Sequence, residues 1–197
     1  MSEAAMSAYP VSVSVAKPDR FQRVHLILRI GLWVVVTYLF NSFLLLAGPV
    51  ISAVLVAQRG DQSFHERYGE IYGKVVAFIM GLQGYMFFAS DDFPEWGEGG
   101  SLHYDYTPTG EPTVGSALLR IIKVIPHLIA LWILGILALA LGFVAAVTVL
   151  FSESVPHGIW KFLMGYVAWD ARVLTYFLSM VEEYPPFSLD VEERSAD

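Results

Sequence analysis

The chain has no cysteine among its 197 residues, which excludes disulfides, thiol catalysis and cysteine-ligated metal centres. Charge is scarce as well. Asp, Glu, Lys and Arg make up 16% of the residues, where a soluble domain carries about 25%. The net charge of −7 leaves no basic surplus for a nucleic-acid partner. Residues 1–20 hold charges and prolines and lack the apolar core of a cleavable signal peptide. Gly-x-Ser-x-Gly, His-Glu-x-x-His and Gly-rich phosphate loops are missing. Ser152 and Ser154 near His157 are a weak nucleophile–base signal, and the paired carboxylates of an intramembrane protease are absent. The expectation is a non-enzyme with no cofactor and no metal.

Apolar side chains are what the sequence has in surplus. They form 55% of the chain, and the mean hydropathy is +0.54. A soluble fold of this size leaves too much surface exposed to hide them, so the composition predicts an integral membrane protein.

Two runs hold no Lys, Arg, Asp or Glu: residues 30–58 and residues 124–152. About 20 apolar residues span the bilayer core, so each run predicts one tilted crossing. A re-entrant hairpin is disfavoured, because lipid cannot satisfy an exposed turn. Gly48-Pro49 predicts a kink, since proline removes one helical hydrogen bond. Pro126 predicts the start of the second spanning helix, after an interfacial turn carrying Arg120 and Lys123. Residues 65–90 and 157–180 are weaker apolar segments that either cross the bilayer or lie in its interface. In the latter, Lys161, Arg172, Thr175 and Ser179 form a narrow polar stripe, facing protein in a crossing helix and water in an interfacial one.

The most informative pattern is self-similarity at an offset of 91 residues. Arg29-Ile30 maps onto Arg120-Ile121, and Tyr85-Met86 onto Tyr176-Phe177. Asp91-Asp92-Phe93-Pro94 maps onto Glu182-Glu183-Tyr184-Pro185, with Trp96 opposite Phe187. Val11, Val13 and Val15 alternate as Leu102, Tyr104 and Tyr106 do, a short strand signal in both leaders. The predicted fold is an all-α membrane protein of two tandem repeats, residues 9–98 and 99–189. A disordered N-terminus (1–8) and an acidic tail (190–197) flank them. Each repeat has a short strand, a long transmembrane helix and a second apolar or amphipathic helix. A small two-stranded sheet at the membrane surface is expected if the strands pair.

Two crossings per repeat give four helices with both termini on one side. Lys17, Arg20, Arg23, Arg29, Arg120, Lys123 and Arg194 outnumber Arg59, Arg67, Lys74 and Lys161 at the other end, so the positive-inside rule predicts cytoplasmic termini. Trp33, Tyr85, Phe93, Trp96, Tyr176 and Tyr184 lie near run ends, where aromatic rings anchor at headgroup level.

Several residues are candidates for more than packing. Asp170 falls opposite Lys161 on the apolar face of 157–180, and a carboxylate at mid-membrane depth costs roughly 3 kcal/mol. It is a candidate proton-binding or ion-relay group, or half of an intramembrane ion pair with Arg120, Lys123 or Arg29, and Arg172 belongs to the same candidate set. The bland alternative is a shallow helix whose Asp170 reaches water. Arg20, Arg23 and Arg29 are candidate headgroup contacts. Gly69 and Gly73, and Ala138, Gly142 and Ala146, are spaced by four and are candidates for close helix packing. The exits Phe93, Pro94 and Trp96, and Tyr184, Pro185, Pro186 and Phe187, read as interfacial turns, or their acidic residues Asp91, Asp92, Glu95, Glu98, Glu182 and Glu183 as docking sites for a basic partner. His25, His65, His103, His127 and His157 share no helical spacing and no matched repeat position, which argues against haem or metal.

The segments IPHLIALW, FSESVPHGIWKF, WDARVLTYF and EEYPPFSL together resemble a bacterial membrane family, domain of unknown function 4389, over residues 117–189. Residues 20–96 resemble a divergent form of it, ending in DDFPEW and lacking the Trp-x-x-Arg element. Asp170 stands where the family pattern implies a small or uncharged residue. The resemblance implies two tandem copies in a bacterial inner membrane and no activity. The expected role is a scaffold, accessory subunit or bilayer-organising element. Its partners would be membrane lipids and another membrane protein. The competing expectation is a small transporter or lipid-handling protein working between the repeats.

Overall fold

The computed structural model describes residues 9–35, 42–98 and 100–194; side chains of residues 33–46 lie outside the description. The disorder expected for 1–8 and the anchoring ring of Trp33 therefore fall outside it. In chain order the elements are β1 (Val11–Ala16), α1 (His25–Val35), α2 (Ser42–Gln58) and α3 (Phe64–Met86). Then follow β2 (Leu102–Tyr106), α4 (Val114–Lys123), α5 (Ile125–Ser152), α6 (His157–Phe177) and β3 (Glu192–Arg194).

The strands form because their side chains alternate. Val11, Val13 and Val15 are buried while Ser12 is exposed, and Leu102 is buried while His103 and Asp105 point out. β1 pairs antiparallel with β2 in a register centred on Val13 opposite Tyr104. The sheet has three strands, not the two expected: β3 adds parallel to the other edge of β1, in the order β2-β1-β3. The tail after residue 190 thus begins as a strand, with Glu193 reaching Lys161 at 3.1 Å and His157 at 3.6 Å. Its charge pattern carries no strand signal. Pairing with an open edge supplies one.

Behind the sheet lies α6, buried on nearly every side. Trp160 is fully buried and donates from Nε1 to the Phe88 carbonyl at 3.0 Å. Thr175 meets the Tyr104 hydroxyl at 2.9 Å. The polar stripe of α6 faces protein along Arg172 and Thr175, both buried, and Lys161 emerges at the helix start; Ser179, expected in the stripe, is buried in the turn beyond Phe177.

α5 packs on α6 through a thin seam. Leu131, Ala138, Ala145 and Val149 are its buried apolar residues, spaced by seven and four, the period of a helix contacting one neighbour. Ala138 belongs to the seam as expected. Gly142 and Ala146 are only partly buried, and Ala145 takes the place of Ala146. Gly69 and Gly73 do not serve helix packing: a Cβ at Gly73 would meet the Tyr106 ring at 2.9 Å, and the Gly69 carbonyl accepts from its hydroxyl at 2.7 Å. Bare backbone is required there by a strand aromatic.

Pro126 opens α5 as predicted. The turn before it is a complete helix, α4, closed at its start by a reciprocal cap between Thr113 and Ser116. The run 30–58 is not one described helix. It holds the end of α1 and all of α2, and the helix continues through Pro49. Among the described residues, α5 alone is long and apolar enough to cross a membrane. The fold is mainly helical with a small sheet. Four helices of that length and apolarity do not occur among the described residues.

Candidate functional site

The polar interior is built around two arginines. Arg29 on α1 and Arg120 on α4 are 4% and 6% exposed. Each helix carries its arginine to the loop that leaves the long helix of the same half. Arg29 donates to the carbonyls of Tyr85 and Ser90, 56 and 61 residues onward. Arg120 donates to the carbonyls of Tyr176 and Val181, at the same two separations. The guanidinium carbons lie 4.5 Å and 4.4 Å from the ring centroids of Tyr85 and Tyr176, close enough for cation–π attraction.

The loops that receive them repeat atom for atom. Phe87 and Leu178 donate backbone N–H groups to Gln83 and Leu174, four residues back. Ala89 and Met180 reach Gly84 and Thr175, five residues back. Phe88 and Ser179 occupy the left-handed region, with φ of 66° and 65°. A left-handed residue after a helix turns the chain across its end, and the next carbonyls, of Ser90 and Val181, face back toward the arginines. The arginines capture them.

Burial pulls both guanidinium pKa values down, and neighbours offset it: Asp91 and Tyr85 around Arg29, Tyr176 and Glu182 around Arg120. The carboxylate contact differs between the two. Asp91 bonds Arg29 at 2.6 Å and also accepts from the Gln22 backbone N–H at 2.5 Å. Glu182 is exposed and forms no ion pair among the described residues.

These contacts displace the ion pair expected at Asp170. Its partner is the Gln83 amide, at 2.7 Å. Arg172 instead donates to the carbonyls of Ser188 and Asp190, at 2.7 Å and 3.1 Å. Lys123 enters through its carbonyl, which accepts from Tyr184 at 3.0 Å. Buried guanidiniums carry five donors, and the exit loops offer more acceptors than one carboxylate does. Arg29 is likewise no headgroup contact, being buried. Arg20 is exposed and Arg23 half-exposed beside Glu153 at 3.3 Å. Both line an open cleft with Ser90, Asp92 and Ser101.

The exit aromatics are exposed, Phe93 at 49%, Trp96 at 61%, Tyr184 at 44% and Phe187 at 53%, while Pro94 and Pro185 are buried and Pro186 partly so. Phe187 stacks on His127 at 3.9 Å, and the His127 ring accepts from Trp169 at 3.1 Å. His127 is thus a packing residue on α5. No group of three or more metal-ligating side chains occurs among the described residues. Gln83, Trp169 and Asp91 as a counterion were missed from sequence. Only Asp91 left a signal there, as the acidic position repeated at Glu182.

No curated protein and no solved structure matches this chain. One family model does match, that described as Domain of unknown function (DUF4389), over residues 115–188. The match covers one copy where two were expected, and places the family likeness in α4, α5, α6 and the exit that Arg120 holds.

Proposed function

We propose that the protein is a non-enzymatic bacterial inner-membrane scaffold or accessory subunit, multi-pass, built from two tandem copies of one unit. The observation that carries the membrane reading is the outer face of α5. Trp132, Phe143 and Phe151 are 71%, 72% and 78% exposed, with Ile129, Ile133 and Ile136 above half. Burying such a side chain is worth about 1.5–3 kcal/mol, so a helix bare over this length calls for hydrocarbon. A 28-residue helix is about 42 Å long, enough to cross a core of about 30 Å with tilt.

The tandem reading is supported by the matched arginine contacts and by the sheet. Val13 and Tyr104, equivalent under the repeat, face each other at the centre of the register. That pairing is what a local twofold axis between the copies requires. Buried arginines spent on carbonyls leave a rigid frame, which suits a scaffold better than a moving carrier.

Membrane fractionation of the full-length protein tests this. The protein should pellet with membranes, resist carbonate extraction and co-purify with lipid or another membrane protein. Recovery as a monodisperse species in buffer without detergent would remove the membrane reading.

A further inference from the structure

We propose that Asp170 is a proton-binding site, held as the neutral carboxylic acid in a two-point pair with the Gln83 amide. Gln83 Nε2 donates to Asp170 Oδ2 at 2.7 Å. The other half of that amide, Oε1, is buried and has no partner. An ionised carboxylate only accepts, so it cannot answer a second acceptor. A protonated one can. Its O–H donates to Oε1 while its carbonyl oxygen accepts from Nε2, and both groups are satisfied at once.

The surroundings supply no cation to hold the ionised form. α3 presents Gln83, a neutral amide. On α6 itself, Tyr166 lies one turn back and is the titratable group near enough to sense Asp170. Arg172 is turned to the carbonyls of Ser188 and Asp190. α5 carries no Asp, Glu, Lys or Arg, and its His127 is engaged with Trp169. Among the described residues Asp170 forms no salt bridge. A partly buried carboxyl with no cation beside it and a buried acceptor facing it takes up a proton instead of keeping its charge. Gln83 belongs to the N-terminal half and Asp170 to the C-terminal half, so the bound proton ties the two together. Its loss strips the tie to one bond and leaves a bare charge at the α3–α6 contact. The pair forms whether or not α5 lies in lipid.

Infrared spectroscopy of the full-length protein in detergent at pH 7 is the test. The wild type should show a protonated-carboxyl C=O band that Asp170→Asn loses. Asp170→Asn should also melt like the wild type, because two amides make the same two-point pair. Gln83→Leu should keep the band, shift its frequency and melt earlier. Carboxyl-13C aspartate in the wild type covers the case of a variant that does not fold, since the band must then move with the label. A folded wild type without the band, a band surviving in Asp170→Asn, or one indifferent to the aspartate label overturns the proposal.

Discussion

The two halves of the molecule solve the same problem with different reserves. Both turn the chain through a left-handed residue and pin the exit with a buried arginine. In the N-terminal half the turn residue is Phe88, 3% exposed, set edge-on to Phe21 at 5.8 Å and 4.5 Å from the Arg29 guanidinium. In the C-terminal half it is Ser179, whose buried hydroxyl has no partner. The first arginine also holds a carboxylate and the second does not. The repeated part is thus backbone geometry, and the side chains filling it are free to differ. A latch made of carbonyls and a guanidinium needs only one residue type fixed.

The largest expected effect tests that asymmetry. Arg29→Met should destabilise by about 3–5 kcal/mol, because it strips the Ser90 carbonyl of its donor and leaves Asp91 with no guanidinium. Arg120→Met, which strips the Val181 carbonyl of its donor and exposes no carboxylate, should cost about 2–3 kcal/mol. Thermal unfolding of both variants in one detergent measures the gap, and equal losses would show that Asp91 adds nothing.

The turn residues sharpen the comparison further. Left-handed backbone costs a residue with a Cβ about 1–2 kcal/mol. Ser179→Gly removes that strain and a buried hydroxyl without a partner, and should raise stability by about 1 kcal/mol. Phe88→Gly removes the same strain and a core ring, and should lower it by about 2–3 kcal/mol. Opposite signs at equivalent positions are the expected outcome of melting the pair.

The smallest effect lies at the α2–α3 connection. Glu111 receives Ser63, the Phe64 backbone N–H and Arg59. Burial raises its pKa, but these bonds and the His65 charge outweigh burial and hold its carboxyl below the usual value. A depressed carboxyl adds stability above its unfolded pKa, near 4, and loses it as pH falls through the folded value. The side chain is 45% exposed, so screening limits the gain to a few tenths of a kcal/mol. Wild type and Glu111→Gln should converge in melting temperature as pH is taken from about 6 to about 3.

Much of this architecture was legible because it depends on neighbours along the chain. β1 and β2, the start of α5 at Pro126 and the polar stripe of α6 follow from alternation, ring geometry and helical period. The offset that aligns Arg29 with Arg120 also aligns their acceptors, so the latch was present in the sequence as a spacing. It was unreadable as a contact, since carbonyl acceptors have no residue identity. Gly69 and Gly73 misled for a related reason. Their spacing fits a helix contact, but a Tyr106 ring occupies the same narrow space as a neighbouring helix.

The sequence alone determined that α5 must exist, that it is apolar over its whole length, and that Arg29 and Arg120 precede tyrosines at the same separation. Local composition and covalent order are sufficient for those. Only the tertiary structure decided that Arg120 and Arg172 turn to carbonyls, that Asp170 meets Gln83 and that residues 192–194 become a strand. Each of those outcomes is a choice among distant partners, settled by which acceptors packing brings within reach.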